Sequence, residues 1–206
     1  MKLIKKVNTI DVKRCFVISQ LIRLQKGNKR YLGLMSESNF TRKLKTAKIK
    51  ALKLSEKKLD KIIKTEWAKR LKAYDSSQWY FGIISPKEVG VWRRSGGLPL
   101  SWTNGSLAET AKKVKYALEK NPKILKKRAK HAISNILQTN INYLQKEKYL
   151  FPIVFKDGTG TNGRKRIKRR MQGDIDDGCM RSIALAVAGF KKIKVYIGFP
   201  KNIIKV

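Results

Sequence analysis

Three carboxylates stand close together near the end of this chain. Asp174, Asp176 and Asp177 lie within MQGDIDDGCMRSIALAV, shortly after the segment RKRIKRR (164–170), which carries six positive charges. Carboxylates that converge can bind Mg²⁺ for phosphoryl chemistry, which would indicate a metal-dependent enzyme that cleaves DNA or RNA. Asp is also a preferred helix N-cap, and carboxylates are stabilised at the positive end of a helix. The same three residues therefore fit either an enzyme or a binding protein.

The local sequence favours the structural interpretation of these carboxylates. Acids on one loop rarely converge without a further acid from elsewhere, whereas capping needs only neighbouring residues. The plausible distant donors are Asp11, Asp75 and Asp157. We therefore expect Asp174, Asp176 and Asp177 to cap the helix that follows and to neutralise part of the basic run. No catalytic residue, metal site or cofactor is expected.

Charge narrows the class of partner. The 206 residues include 49 Lys and Arg but only 14 Asp and Glu, which gives a formal net charge of +35. Such an excess of cations is suited to neutralising phosphates, so nucleic acid is the expected partner. The 42% hydrophobic content is enough for a folded core. No apolar run is long enough to span a membrane, and no membrane partner is expected.

Arginine, glycine and tryptophan are combined in a second informative segment, RRSGGLPLSWTN, residues Arg93 to Asn104. Paired glycines allow a tight bend and a close approach to another chain. Arginine can bind phosphate through two hydrogen bonds, and tryptophan can stack on a base. An ordinary surface loop whose Trp102 covers the core fits these residues equally well.

Hydrophobic periodicity predicts alternating helices and strands. A helix is expected from Val12 to Leu24, a strand at Arg30–Met35, a long helix from Thr41 to Lys72 and a strand at Trp79–Ser85. The order strand, helix, strand implies a right-handed parallel crossover. The long helix carries thirteen Lys and Arg on the faces away from its apolar stripe.

The second half continues the alternation. Ser106 and Glu109 have the spacing of a capping box at the start of a helix, and Pro122 begins another helical stretch. A buried strand is expected at Tyr149–Phe155, and KIKVYIG (192–198) alternates like an exposed or edge strand. The fold class is therefore α/β. The residues predicted to share one core are Leu52, Ile63, Trp67, Ile83, Ile153, Val154, Ile183 and Leu185.

The chain resembles, in divergent form, the family of ribosomal protein two of the small subunit, in the bacterial-type numbering. That family has a loop with Arg-Trp, Gly-Gly, a leucine and Thr-Asn-Trp, then a strand rich in Val and Ile that ends in Asp-Thr-Asn, then Gly-Asn-Asp-Asp before a helix. The residues that resemble the loop are Arg94, Gly96, Gly97, Leu98, Thr103 and Asn104. Those that resemble the strand are Pro152, Ile153, Val154, Asp157 and Asn162. Those that resemble the last motif are Gly173, Asp176, Asp177, Ser182, Ile183 and Leu185. The resemblance covers roughly residues 79–188.

This resemblance implies a Rossmann-like α/β domain, with a parallel sheet flanked by helices and with basic helical and loop extensions. It further implies a role without catalysis on the small ribosomal subunit, in contact with its ribosomal RNA and with neighbouring ribosomal proteins, and not a homo-oligomer. The chain is divided into an N-terminal basic helical extension (1–29), an α/β core (30–188) and a strand-like tail (189–206). Frequent Lys, Ile and Asn indicate an AT-rich genome, either of a mitochondrion that encodes its own ribosomal protein or of a bacterium.

Pattern and resemblance together assign two groups of residues. The residues expected to contact RNA are Arg93, Arg94, Gly96, Gly97, Trp102, Asn104, Arg164, Lys165, Arg166, Lys168, Arg169 and Arg170. The residues expected to cap helices or to act structurally are Ser106, Asp174, Asp176 and Asp177.

Overall fold

Helices and strands follow one another along the chain, and this confirms the predicted α/β class. The computed structural model describes residues 1–23, 37–125, 133–134, 136–137, 141–156 and 171–201. The strands are β1 (Lys2–Val7), β2 (Ser77–Ile84), β3 (Val89–Gly90), β4 (Ile153–Lys156), β5 (Gly173–Asp177) and β6 (Ile193–Pro200). The α-helices are α1 (Thr9–Arg23), α2 (Glu37–Leu52), α3 (Glu56–Asp75), α4 (Leu100–Thr103), α5 (Leu107–Lys120) and α6 (Cys179–Val187). Short 3₁₀ turns occupy Ser95–Gly97, Pro122–Ile124, Ile141–Gln145 and Lys148–Leu150.

The described strands form one open, mixed sheet in the order β1-β2-β6-β4-β5-β3. β4 is parallel to β6 and β3 is parallel to β5, whereas the pairs β1–β2, β2–β6 and β4–β5 are antiparallel. The sheet is therefore mixed, where the resemblance implied a parallel one. Both described neighbours of β2 are antiparallel to it, and the parallel crossover predicted into β2 begins in a segment that the structure does not describe. The predicted strand Arg30–Met35 lies outside the described residues.

The first and last strands of the described chain, β1 and β6, are part of this sheet. β1 is an edge strand, and α1 places Val12, Phe16 and Ile18 in the core with no exposed surface. β6 lies between β2 and β4, so its prediction as an exposed or edge strand is wrong. Lys194 is exposed, in agreement with the alternation. Tyr196 and Gly198 follow it at steps of two, but both are buried, as is Ile193. A strand paired on both sides can bury both of its faces.

The predicted single helix from Thr41 to Lys72 is two helices, α2 and α3, separated by residues 53–55. Ser55 has extended backbone angles and is the N-cap of α3. The break shifts the helical phase, and Leu52 consequently does not share the buried face of Leu59 and Ile63. Its side chain is 43% exposed, and Ala51 beside it is fully buried instead. The prediction that Leu52 belongs to the core is therefore wrong.

Helix α3 also turns sharply along its length. The ammonium of Lys13 lies 2.7 Å from Oδ1 of Asp60 and 2.7 Å from Oδ1 of Asp75. Fifteen residues of straight helix would separate these two carboxylates by about 22 Å. Both can reach one ammonium only because the chain bends between them. Glu56 completes the group at 3.0 Å.

An aromatic cluster joins the helices to the sheet. The ring of Tyr74 on α3 packs edge-on against Phe16 of α1 and Trp79 of β2, with centroids 6.0 and 5.3 Å away. Phe155 of β4 contacts both Tyr74 and Trp79. Such edge-to-face pairs add to the free energy gained from burial alone. This face of the sheet is therefore the one that α1 and α3 cover.

Most of the remaining core predictions are confirmed. Ile63, Ile153, Val154, Ile183 and Leu185 are fully buried, and Ile83 is half-buried. The side chain of Trp67 lies outside what the structure describes. No helix in the described part of the chain is long and apolar enough to cross a bilayer.

The predicted strand Tyr149–Phe155 begins later than expected. Lys148–Leu150 is a 3₁₀ turn, and β4 starts at Ile153, after Pro152. Pro152 has no N–H to donate, which explains why it precedes the ladder. Its carbonyl nevertheless accepts a hydrogen bond from the backbone N–H of Tyr196, 2.9 Å away. The strand is short, but it is paired on both sides, with β5 and β6.

Candidate nucleic-acid interface

The three aspartates that motivated a metal or capping site form most of strand β5. Asp174, Asp176 and Asp177 are 7%, 6% and 3% exposed. The N-cap of α6 is Gly178, and no side chain caps this helix. The prediction that the aspartates cap the following helix is therefore wrong. They lie in a strand paired with β4 and β3, and the charges of Asp176 and Asp177 are balanced by cations from helices rather than by a helix N-terminus.

Asp176 is held by α3. Its Oδ2 accepts hydrogen bonds from Nε of Arg70 at 2.8 Å and from the hydroxyl of Tyr74 at 3.0 Å. The Arg70 guanidinium also lies over the ring of Phe16, 4.5 Å from its centroid. Burial first, and then the charge of Asp176, raises the pKa of Tyr74 well above its ordinary value. Burial acts to lower the pKa of Arg70, but the charge of Asp176 outweighs it and the pKa is raised.

Asp177 is held by α1 and α6. Its Oδ2 accepts hydrogen bonds from the hydroxyl of Ser19 and from Nη2 of Arg181, each at 2.9 Å. Ser19 and Arg181 are themselves buried. A metal ion would have to displace these donors and share the site with a buried guanidinium. Among the described residues, no group of three or more acidic, cysteine or histidine side chains is arranged to hold a metal.

Asp174 packs against the neighbouring strand β3. A side chain added at Gly90 would bring a Cβ to 2.6 Å from Oδ1 of Asp174. Real Cβ atoms do not approach other atoms so closely, so Gly90 is required by the carboxylate beside it. The aspartates of β5 are thus packed into the fold rather than presented to a ligand at its surface.

Several acidic side chains elsewhere in the described chain also form ion pairs with lysines. Glu56, Asp60 and Asp75 surround the buried ammonium of Lys13, which is 2% exposed. Burial acts to lower the pKa of Lys13, but the hydrogen bonds that these carboxylates accept from it raise the pKa above its ordinary value. Glu147 accepts from the ammonium of Lys48 at 2.8 Å. The side chains of Glu56 and Asp75 nevertheless remain 56% and 49% exposed.

Basic side chains, by contrast, are mostly exposed. The exposed cations of α2 and α3 are Arg42, Lys45, Lys50, Lys57, Lys58, Lys61, Lys64, Lys69 and Lys72. Those of α5 and the turn after it are Lys112, Lys113, Lys115, Lys120 and Lys123. The three aspartates of β5 are buried, whereas most of the described ammonium groups are exposed and outnumber the exposed carboxylates. A surface of this kind attracts polyanions over a distance set by the ionic strength.

The loop Arg93–Asn104 is a tightly folded segment. Arg94 has a left-handed backbone with φ of 55°, and Gly96 and Gly97 have φ of 62° and 84°. The glycines are therefore required by the turn itself, because side chains disfavour positive φ. The hydroxyl of Thr103 accepts a hydrogen bond from the Arg94 N–H at 2.8 Å and closes the loop.

The side chains of this loop divide between the surface and the core. Arg93, Arg94 and Asn104 are exposed, as an RNA-contacting role requires. Trp102 is half-buried and packs against the hydrophobic core. The alternative in which Trp102 covers the core therefore describes it better than base stacking does. The run Arg164–Arg170 lies outside the described residues.

Helix α5 is attached to this loop. Ser106 and Glu109 form the predicted capping box, with the Glu109 N–H donating to Oγ of Ser106 at 3.2 Å and Oε2 of Glu109 accepting from the Ser106 N–H at 2.9 Å. The hydroxyl of Thr110 donates to the carbonyl of Trp102, and Nζ of Lys113 donates to the carbonyl of Ser101. We call residues 93–104 together with α5 the loop–α5 surface.

The lysines of α5 and Tyr116 among them were not singled out from the sequence as functional residues. A signal was available, since Tyr116 is an aromatic residue on the polar side of a strongly amphipathic helix. The apolar stripe of α5, formed by Leu107, Ala111, Val114 and Ala117, is buried without it.

No family model matches the chain, and no curated protein or solved structure matches it significantly.

Proposed function

We propose that this protein binds RNA as a structural component of a ribonucleoprotein particle, and that the particle is the small ribosomal subunit. The observation that carries the first part is the large excess of exposed cations. The net charge is +35, most described Lys and Arg side chains are exposed, and six of the described carboxylates pair with Lys13, Arg70, Arg181 or Lys48. Phosphate groups are the polyanions that such a surface binds.

The ribosomal part of the proposal is supported by the ordered resemblance of the loop, strand and helix motifs. Small-subunit ribosomal RNA and neighbouring ribosomal proteins are the partners it implies. The location it implies is a mitochondrial ribosome, or the cytoplasm of a bacterium with an AT-rich genome. Arg93 and Arg94, exposed on a loop whose glycines are needed for its turn, are the described residues best suited to contact phosphate.

The nuclease alternative depends on Asp174, Asp176 and Asp177, and the contacts of these carboxylates do not favour it. Asp176 already accepts hydrogen bonds from Arg70 and Tyr74, and Asp177 from Ser19 and Arg181. Mg²⁺ binds carboxylates that are free to approach it with near-octahedral geometry. Here the ligands would first have to release buried cationic donors. We therefore propose a role without catalysis.

The RNA-binding proposal is tested by the salt dependence of binding. A protein that makes several phosphate contacts loses about 10³-fold or more in affinity between roughly 50 and 200 mM salt. We expect a slope of that size for ribosomal RNA fragments, measured by fluorescence anisotropy. Binding that barely weakens over this range would contradict a phosphate-dominated interface. The ribosomal assignment is tested by whether the protein in cell extracts sediments with the small subunit; sedimentation only as free protein would contradict it.

A charge-matched pair of variants localises the interface. Replacing Arg93 and Arg94 with Gln should reduce the magnitude of the salt slope by about 1 for each phosphate that the protein no longer neutralises. Lys191 and Lys192, an exposed basic pair in the turn before β6, provide the control when changed to Gln. Equal reductions in both double variants would show that total charge matters rather than the loop. A Mg²⁺-dependent cleavage assay on DNA and RNA tests the nuclease alternative directly, and cleavage by the wild-type protein would contradict a role without catalysis.

A further inference from the structure

Tyr116 stands out on the exposed side of α5. Its side chain is 65% exposed, and among the described residues it is the only aromatic one in the set of exposed large hydrophobic side chains. The opposite side of the helix, including Val114 and Ala117, is buried. Tyr116 therefore contributes little to the core, and its ring is displayed to the solvent from a helix whose position is set by its own packing.

Lysines flank this ring at helical spacing. Lys112 lies one turn before Tyr116 and Lys120 one turn after it, and both are exposed. Residues four apart lie on the same helix face, and eight residues of helix span about 12 Å. Lys113 is also exposed on this side, with its ammonium near the carbonyl of Ser101. The ring thus lies between cations along one line on the loop–α5 surface.

Cations and an exposed ring recognise different parts of a nucleic acid. Ammonium groups bind phosphates in any strand, paired or unpaired. An aromatic ring can stack on a base, and such stacking is tolerant of sequence because every base has a flat π-face. In a duplex the base faces are covered by neighbouring base pairs, so a protein ring can stack only where nucleotides are unpaired.

We propose that Tyr116 stacks on an unpaired base of an RNA strand whose phosphates are bound by Lys112 and Lys120. This inference rests on the proposed RNA-binding function and specifies its ligand: single-stranded RNA at the loop–α5 surface. The duplex parts of the same RNA contact lysines without needing the ring.

The chain contains a natural control for this arrangement. Ile49 on α2 is 48% exposed and has Lys45 four residues before it and Lys53 four residues after it. The sequence spacing of the lysines is the same as around Tyr116, with Lys53 just beyond the end of α2, but an aliphatic side chain offers no π-face to a base. Any general effect of removing an exposed hydrophobic side chain from a basic helix will appear equally at both positions.

The experiment compares Tyr116→Ala, Tyr116→Phe and Ile49→Ala with the wild type. The probes are a short oligouridine, a blunt-ended RNA duplex of equal length formed from two complementary strands, and an abasic strand of equal length, with affinities measured by fluorescence anisotropy at one salt concentration. Loss of a stacked base weakens binding by about 5-fold to 150-fold. We expect a loss in that range for Tyr116→Ala on oligouridine, and little change for Tyr116→Phe, which keeps the ring, or for Ile49→Ala. On the duplex and abasic probes Tyr116→Ala should match the wild type.

Several outcomes would overturn the inference. Unchanged oligouridine affinity in Tyr116→Ala, with wild-type binding still steeply salt-dependent, would refute stacking while leaving the proposed function intact. Equal weakening in Tyr116→Ala and Ile49→Ala, or equal weakening on the abasic probe, would assign the effect to something other than a base. Absence of RNA binding by the wild type would overturn the proposed function and the inference with it. Thermal unfolding of each variant, expected to be unchanged because the side chains are exposed, excludes misfolding as the cause.

Discussion

Arg70 and Asp176, 106 positions apart in the sequence, form a buried pair with Nε of the arginine 2.8 Å from Oδ2 of the aspartate. The guanidinium lies over Phe16 at the same time. A single arginine thereby connects α3 with strand β5 and with α1. Asp176, one of the acids that suggested a catalytic centre, thus attaches α3 to the sheet.

Replacing Asp176 with Asn should destabilise the fold substantially. The amide keeps the shape of the side chain but removes the negative charge, which leaves the Arg70 guanidinium buried without its counterion. Breaking a buried pair in this way costs about 3 kcal/mol. Urea unfolding followed by circular dichroism measures the change in the free energy of unfolding.

The control is Glu119→Gln, which removes the exposed partner of Lys115 in a pair 3.9 Å apart. Exposed pairs contribute little, so its stability should stay within about 0.5 kcal/mol of wild type. Equal stability of Asp176→Asn and Glu119→Gln would mean that the Arg70 contact does not hold the helices to the sheet.

Replacing Lys13 with Met should also destabilise the protein. The ammonium is buried and holds Glu56, Asp60 and Asp75, and without it these carboxylates face one another across α3 with no Lys13 cation between them. Hydrogen bonds to charged groups contribute roughly 2 kcal/mol, and we expect a decrease of about that size. Lys57→Met, at an exposed position on the same helix, should change the unfolding free energy little. A Lys13→Met protein as stable as Lys57→Met would show that the cluster does not stabilise the fold.

Removal of the α5 capping box should cost about 1 kcal/mol. Ser106→Ala deletes the oxygen that accepts from the Glu109 N–H, whereas Ser106→Thr retains a hydroxyl at the same position. Because the loop 93–104 is hydrogen-bonded to α5, Ser106→Ala should also weaken RNA binding, and Ser106→Thr should restore it. Thermal unfolding and anisotropy on the same samples separate the two effects. Loss of stability with unchanged binding would argue against the loop–α5 surface as the interface.

Stability should fall as the solution becomes alkaline. Burial raises the pKa of the Cys15 thiol, and burial with Asp176 raises that of Tyr74. The folded protein keeps these two protons where the unfolded chain releases them, at pH values near about 8.5 for cysteine and 10 for tyrosine. The unfolded state then binds fewer protons, so the free energy of unfolding decreases as pH rises, by about 1.4 kcal/mol per pH unit for each group.

The variant Cys15→Ser separates the contribution of Cys15 to this loss of stability from that of Tyr74. A serine hydroxyl can donate a hydrogen bond to the carbonyl of Tyr149 or Phe151, as the thiol does, but does not titrate in this range. The decrease in stability should then begin near about pH 10 rather than near about pH 8.5. An unchanged onset in chemical denaturation series run across this pH range would show that Cys15 does not set the alkaline limit.

Features that depend on neighbouring residues were predictable from the sequence. The capping box of Ser106 and Glu109 needs a spacing of three residues and the start of an amphipathic helix. The buried side chains of β4 and α6, such as Val154 and Ile183, follow from short apolar runs and helical periodicity. The excess of positive charge needs only counting. In each case the physical cause acts over a few positions, or on the chain as a whole.

The roles of individual polar residues depended on contacts between distant parts of the chain. The aspartates of β5 precede a helix, so local rules predicted caps, yet β4 and β3 pair with them as a strand, and Arg70, Tyr74, Ser19 and Arg181 come from three separate helices to bind them. The central position of β6 likewise depends on its two neighbours and not on its own alternation. The amphipathic pattern of α5 places Tyr116 on its polar side, but the extent of its exposure depends on the packing of α5, because burial is set by which face of a helix meets the rest of the fold.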